Sequence, residues 1–157
     1  MSNLKMSALA SLLFLIVIGN ANAVPLVVPS TAVRTLDVTD ICSTKTSTIR
    51  DVSLAVKKKV YAKAGVAYGD RKWCSKGYEV DHRVSLENGG SNDISNLQLQ
   101  AYCTLAELTK GKDGKPIYQG LYDAHKKDGD ENKGHTTICK GLAKPAEVQQ
   151  SLYYWKN

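Results

Sequence analysis

The chain has 157 residues, 43% hydrophobic and 23% charged, with 21 lysines and arginines against 15 acids for a net charge of +6. That length suits one compact domain, and the composition is too apolar and too mixed in sign for wholesale disorder. A multidomain assembly is excluded, and so is a polytopic membrane protein, because the sequence holds a single long apolar run.

The apolar run lies at the amino terminus. Lys5 gives a positive leader, Ala8 to Ile18 is almost unbroken apolar sequence, and Ala21-Asn22-Ala23 fits a small-residue cleavage site. Eleven residues are short for a bilayer, and Gly19 and Asn20 end the run at once. The expectation is a signal peptide over 1–23 and an exported protein, secreted or periplasmic, with no membrane contact after cleavage. Its removal takes one lysine and no acid, leaving 134 residues at +5. Both methionines and the only phenylalanine leave with it, so the core must be built from Val, Leu, Ile, Ala, Tyr and Trp. Cys42, Cys74, Cys103 and Cys139 remain. An even count in an exported chain implies two disulfides with three open connectivities, and the lack of a Cys-x-x-Cys pair argues against a zinc knuckle.

Residues 24–40, with Pro25 and Pro29 among valines, read as an extended amino-terminal arm before a domain spanning 41–157. Ser47 or Thr48 can cap a helix over Asp51–Ala64, where Val52, Val56, Val60 and Ala64 recur every fourth residue. Lys57, Lys58 and Lys59 form a basic run there, either a plain solvated face or a phosphate contact. Tyr78, Val80, Val84 and Leu86 alternate with polar residues as in a strand, and Asn88-Gly89-Gly90 breaks it. Ile94, Leu97 and Leu99 then suggest a returning strand. Lys110–Lys115 reads as a polar loop. A weaker helical pattern runs from about Tyr118 to Ile138, burdened by Gly129 and Gly134. Pro145 opens a last helix with Val148, Leu152 and Trp155 on one face.

The chemistry-bearing residues gather in the hairpin. Asp81-His82 offers a hard oxygen ligand beside a base that titrates near neutrality, and Asn96 is an amide able to bond backbone on two sides. Neighbours in a regular strand point to opposite faces, so Asp81 and His82 converge only where the strand ends or bulges. As an isolated pair they would be an ordinary surface ion pair.

The wider string, Tyr78-Glu79-Val80-Asp81-His82-Arg83-Val84-Ser85-Leu86-Glu87-Asn88-Gly89-Gly90 through Asn96-Leu97, resembles the HNH endonuclease signature. It is similar to a branch of exported bacterial and phage proteins that adds an Ala-x-x-Lys-Asp-x-x-Glu-Asn-x-x-His helix. Here that helix reads Ala124-His125-Lys126-Lys127-Asp128-Gly129-Asp130-Glu131-Asn132-Lys133-Gly134-His135, and the likeness covers about Val38 onward. The resemblance implies an α+β fold with a ββα-metal core, flanking helices and disulfide staples. It implies Asp81 as a metal ligand, His82 as general base and Asn96 as the residue orienting the base or its loop. Asp123, standing where the branch often has asparagine, is the candidate helix ligand, and Glu131 could hold a metal-bound water. The implied cofactor is one divalent ion, Mg²⁺ first, with Mn²⁺ or Zn²⁺ as alternatives. Two departures bear on the helix register: Asn96-Leu97-Gln98-Leu99 lacks the branch's Trp-Pro, and Asp128-Gly129-Asp130 replaces a packing leucine. Because Cys74 and Cys103 bracket the hairpin, the expected bridges are Cys74–Cys103 and Cys42–Cys139.

The implied function is a secreted, monomeric, metal-dependent endonuclease acting on DNA or RNA with little sequence specificity. Arg83 and Lys57–Lys59 would position the strand, and an inhibitor or immunity protein is a candidate partner. The alternative is a nonenzymatic, disulfide-stapled protein that binds polyanions on the same scaffold.

Overall fold

The computed structural model describes residues 27–108, 118 and 120–155; the leader over 1–23 and the loop Lys110–Lys115 lie outside them. Among the described residues there are five α-helices and one two-stranded antiparallel sheet, a small α+β domain closed by two disulfides. None of these helices is long and apolar enough to cross a membrane.

The arm is not the loose extension expected. Ser30–Ala32 makes a helical turn, Ala32 is fully buried, and Arg34 N donates to Gly89 O at 2.8 Å. Asp37 then caps α1 (Val38–Ser43), its carboxylate accepting from Thr39 N and Asp40 N. The boundary at residue 40 therefore falls inside a helix.

A separate helical turn, α2 (Thr46–Ile49), comes first, and the helix expected over 51–64 follows as α3 (Leu54–Lys63), starting three residues later than expected. The break has a cause. A continuous helix would use the Ile49 carbonyl for the amide four residues on, but Asn92 Nδ2 takes it at 2.6 Å. Ser53 then caps α3 through Val56 N. The apolar stripe survives the break, with Val60 buried and Val52, Val56 and Ala64 packed against the same core.

β1 (Tyr78–His82) pairs with β2 (Leu97–Ala101), His82 opposite Leu97 and Asp81 opposite Gln98. Both strands are shorter than the alternation suggested, and Ile94 sits exposed in a helical turn. One face of the hairpin is apolar: Tyr78, Leu97, Leu99 and Ala101 join Val60, Tyr61 and Tyr118 in the core beneath α3. The other face is polar yet covered. Glu79, Asp81, Gln98 and Gln100 lie there, both glutamines buried, beneath the helix that carries Lys127.

That helix is α4 (Ala124–Cys139), which starts later than Tyr118 because Asp123 takes a left-handed conformation, φ 59°. α5 (Pro145–Tyr153) follows. Gly134 costs α4 propensity but permits its close approach to α5: a Cβ there would lie 2.7 Å from Val148 Cγ1. Cys42–Cys139 ties α1 to the end of α4, and Cys74–Cys103 brackets the hairpin. Cross-links closing such loops contribute on the order of 4 kcal/mol each in the chain-entropy account.

The turn between the strands is held by one side chain. Asn96 is fully buried; its Oδ1 accepts from Val84 N at 2.8 Å, and its Nδ2 donates to Val84 O at 2.9 Å and Ser91 O at 2.8 Å. Gly90 packs so tightly under this clamp that a Cβ would collide with the Val84 carbonyl. Replacing Asn96 with alanine strands a buried amide and carbonyl. Urea unfolding should show a loss of about 3 kcal/mol for Asn96→Ala, since an unpaired buried backbone group costs roughly 1–3 kcal/mol. Asn96→Asp, which keeps the bond to Val84 N but turns a buried carboxylate oxygen toward the Val84 and Ser91 carbonyls, should lose at least as much.

Candidate functional site

The site lies where β1 ends against α4. Lys127 is 1% exposed, and its ammonium donates to Asp81 Oδ2 at 2.7 Å, to the His82 carbonyl at 2.8 Å and to Glu131 Oε1. An ammonium has three N–H donors, and all three are used. Spacing explains the cluster: Lys127 and Glu131 lie four residues apart on one face of α4 and meet within the helix, while Asp81 meets Lys127 from the sheet. Gln98 Nε2 also reaches Asp81 Oδ2 at 3.3 Å, while Gln98 Oε1 is buried without a hydrogen-bond partner among the described residues.

Burial pulls the Lys127 pKa down, but Asp81 and Glu131 outweigh it and hold the ammonium above the ordinary lysine value. Burial also raises the Glu131 carboxyl to about 7, against the opposing pull of Lys127. The lysine stays charged.

His82 leaves the strand on the opposite face from Asp81, as the pleat requires. Its ring is 1% exposed, and Nε2 meets Asn92 Oδ1 at 3.0 Å. Because Asn92 Nδ2 is committed to the Ile49 carbonyl, the amide oxygen faces the ring and Nε2 must donate. Nδ1 then carries the lone pair. It makes no hydrogen bond among the described residues, and the ring that carries it is buried. Burial pushes the His82 pKa below the ordinary value; the Asn92 bond opposes this, and the charges of Arg50 and Lys127 reinforce it. The result is a neutral, tautomer-fixed imidazole.

Of the residues expected to act together, Asp81 and Glu131 meet, but through an ammonium. Asp123 stands at the mouth of α4 without a capping bond and joins neither of them in an ion pair or hydrogen bond. Among the described residues no three His, Cys, Asp or Glu side chains gather as a metal would need. The expected ligand set of Asp81, Asp123 and Glu131 does not fit a divalent ion in this arrangement: Asp123 stands apart, and an oxygen of Asp81 and one of Glu131 already meet Lys127. Asn96 holds Val84 and Ser91 rather than the imidazole, so it shapes the loop that follows His82. Arg83 lies over the Tyr153 ring, 5.4 Å from its centre, and lines a cavity beside Lys63 and Gln98. Lys57, Lys58 and Lys59 are exposed on α3.

Three participants carried no expectation. Lys127 was visible only as a member of the Lys-Asp run, Asn92 only as a loop residue, and nothing in the sequence singled out Arg50. Arg50 lines both a cleft of about 520 Å³ with Lys57, Tyr61, Tyr68 and Tyr78, and a smaller cavity of about 290 Å³ reaching Glu131. Comparison of the chain with family models, curated proteins and solved structures finds no match.

A histidine whose folded pKa is depressed binds fewer protons folded than unfolded. Its contribution to stability is full above about pH 6.5, the unfolded value, and is lost as pH falls through the folded value. Glu131, shifted upward, acts in the opposite sense over an overlapping range, so the contrast must be drawn between proteins. From pH 7 to 5, wild type should lose more stability in urea unfolding than His82→Gln; parallel profiles would remove His82 from the acid transition.

Proposed function

We propose that the chain hydrolyses phosphodiester bonds of DNA or RNA with little sequence preference, outside the cytoplasm. The observation that carries this reading is the buried, neutral His82 imidazole at the end of a hairpin, its Nε2 locked by Asn92 and its Nδ1 without a hydrogen bond among the described residues. The hairpin and the helix lying against it also suit the ββα core that the Asp81-His82 string resembles. Two disulfides suit an oxidising compartment.

In this reading His82 Nδ1 accepts a proton from water as the water oxygen bonds to phosphorus in line with the departing 3′-oxygen. The P–O3′ bond breaks, solvent protonates the leaving oxygen, and the products are a 5′-phosphate and a 3′-hydroxyl. The imidazolium returns its proton to solvent. No step passes through a divalent ion, because Lys127 holds the oxygens that would bind one. The charge that meets the phosphate comes from exposed cations, Arg50 first, with Lys57–Lys59 extending the contact along α3. Glu87, Asp128 and Glu131 line the smaller cavity, so the backbone approaches from the Arg50 side. Contacts of this kind release counterions without reading bases.

Plasmid nicking tests the reading. Purified protein should convert supercoiled DNA or cut single-stranded RNA, and His82→Ala should lower the rate by about a hundredfold or more, the usual worth of a general base. Arg50→Ala should weaken binding and flatten its salt dependence while leaving the fold intact. Wild type no faster than His82→Ala ends the enzyme reading; salt-sensitive retention on DNA without cleavage would favour the polyanion-binding alternative.

A further inference from the structure

We propose that Lys127 is the resident cation of this site, and that its ammonium shuts divalent metal out of the Asp81–Glu131 cluster. Three observations carry this. The ammonium stands among three oxygens from three sources, the Asp81 carboxylate, the Glu131 carboxylate and the His82 carbonyl. Those are the hard donors that Mg²⁺, Mn²⁺ or Ca²⁺ would seek, and the space they enclose is occupied by a side chain of the chain itself. Lys127 is 1% exposed, so its head cannot swing into solvent without breaking all three bonds and unpacking α4 from β1. Finally, the cluster holds a single formal positive charge against two carboxylates, and that charge is tethered by the same helix that supplies Glu131.

The ammonium does a metal's structural task, drawing a strand carboxylate, a strand-end carbonyl and a helix carboxylate to one point. It cannot do a metal's other task. With every N–H donor used and the head enclosed, it offers no open position to a phosphate oxygen. Lys127 is thus a positioning residue: it holds Asp81 and the His82 backbone against α4. The geometry stands whether or not the chain cleaves nucleic acid.

The test is Mn²⁺ binding, read independently of activity. In the full wild-type chain, titration with Mn²⁺ should leave the ring signals of His82 free of saturable paramagnetic broadening. Lys127→Met removes the ammonium and keeps the aliphatic bulk. By calorimetry it should bind one Mn²⁺ about tenfold or more tighter than wild type, in keeping with the control that ligand charge exerts over such sites. Lys127→Met combined with Asp81→Asn should lose that site. Saturable broadening of His82 in wild type that Asp81→Asn abolishes would overturn the proposal, as would a folded Lys127→Met protein that gains no Mn²⁺ site. Should Lys127→Met not fold, the wild-type titration decides alone. Nicking by a wild type that also binds Mn²⁺ here would sink this inference and leave the hydrolase reading standing.

Discussion

An ammonium buried to 1% exposure is a demand placed on everything around it. Taken from water, Lys127 loses a hydration shell worth several kcal/mol, and only complete replacement of its hydrogen bonds with at least one opposing charge offsets that loss. The surroundings supply a strand carboxylate, a helix carboxylate one turn on and a strand-end carbonyl. The rest of the architecture follows from keeping these together. The α4 face of the hairpin is polar although covered, carrying Asp81, Gln98 and Gln100, because an apolar face could not receive the lysine head. α4 must lie across the end of β1, and Cys42–Cys139 fixes the far end of that helix to α1.

Two asparagines perform the corresponding work on the other side of the strand. Asn96 satisfies both backbone groups of Val84 and so ends β1 at His82, turning the chain into the Gly89-Gly90 bend. Asn92 divides its amide between the Ile49 carbonyl and the His82 ring. Asn92 thus engages the carbonyl at the end of α2 and sets the imidazole tautomer in one stroke. A buried ring with one nitrogen committed as donor has a defined basic nitrogen, which an exposed histidine lacks.

The sequence made the elements legible where one periodicity ruled. The Val52–Ala64 stripe, the alternation at Tyr78–Val80 and the helix opened by Pro145 all appear where the pattern puts them. It failed where a distant side chain intervened. Nothing local at Ile49 announces that Asn92, forty-three residues on, will take its carbonyl at the end of α2. Asp81 and Glu131 were legible as partners through their spacing and the motif around them, but the group between them was not. Lysine in a charged run ordinarily faces water, and only the packing of α4 on the hairpin shows which of Lys126 and Lys127 is enclosed. The hairpin's covered polar face offered a clue, since Gln98 and Gln100 alternate with Leu97 and Leu99, a pattern equally suited to a solvated surface.

The enclosed ammonium also decides where any phosphate must be met. A divalent ion at the end of β1 would carry open coordination positions and draw a phosphate directly onto Asp81 and Glu131. Lys127 neutralises part of that acid charge but presents none of its own outward, so Glu87, Asp128 and Glu131 leave the neighbouring cavity unfavourable to an anion. Attraction has to come from cations standing free of the cluster. Arg50 is exposed, lines both the acidic cavity and the cleft that holds Lys57, and lies near enough to His82 to depress its pKa. Phosphate drawn to Arg50 would therefore be held beside the imidazole rather than over the carboxylates. Arg50 is the capping residue that ends α2, directly after Ile49, whose carbonyl Asn92 engages. Asn92 thus bonds both the His82 ring and the carbonyl of the residue before Arg50.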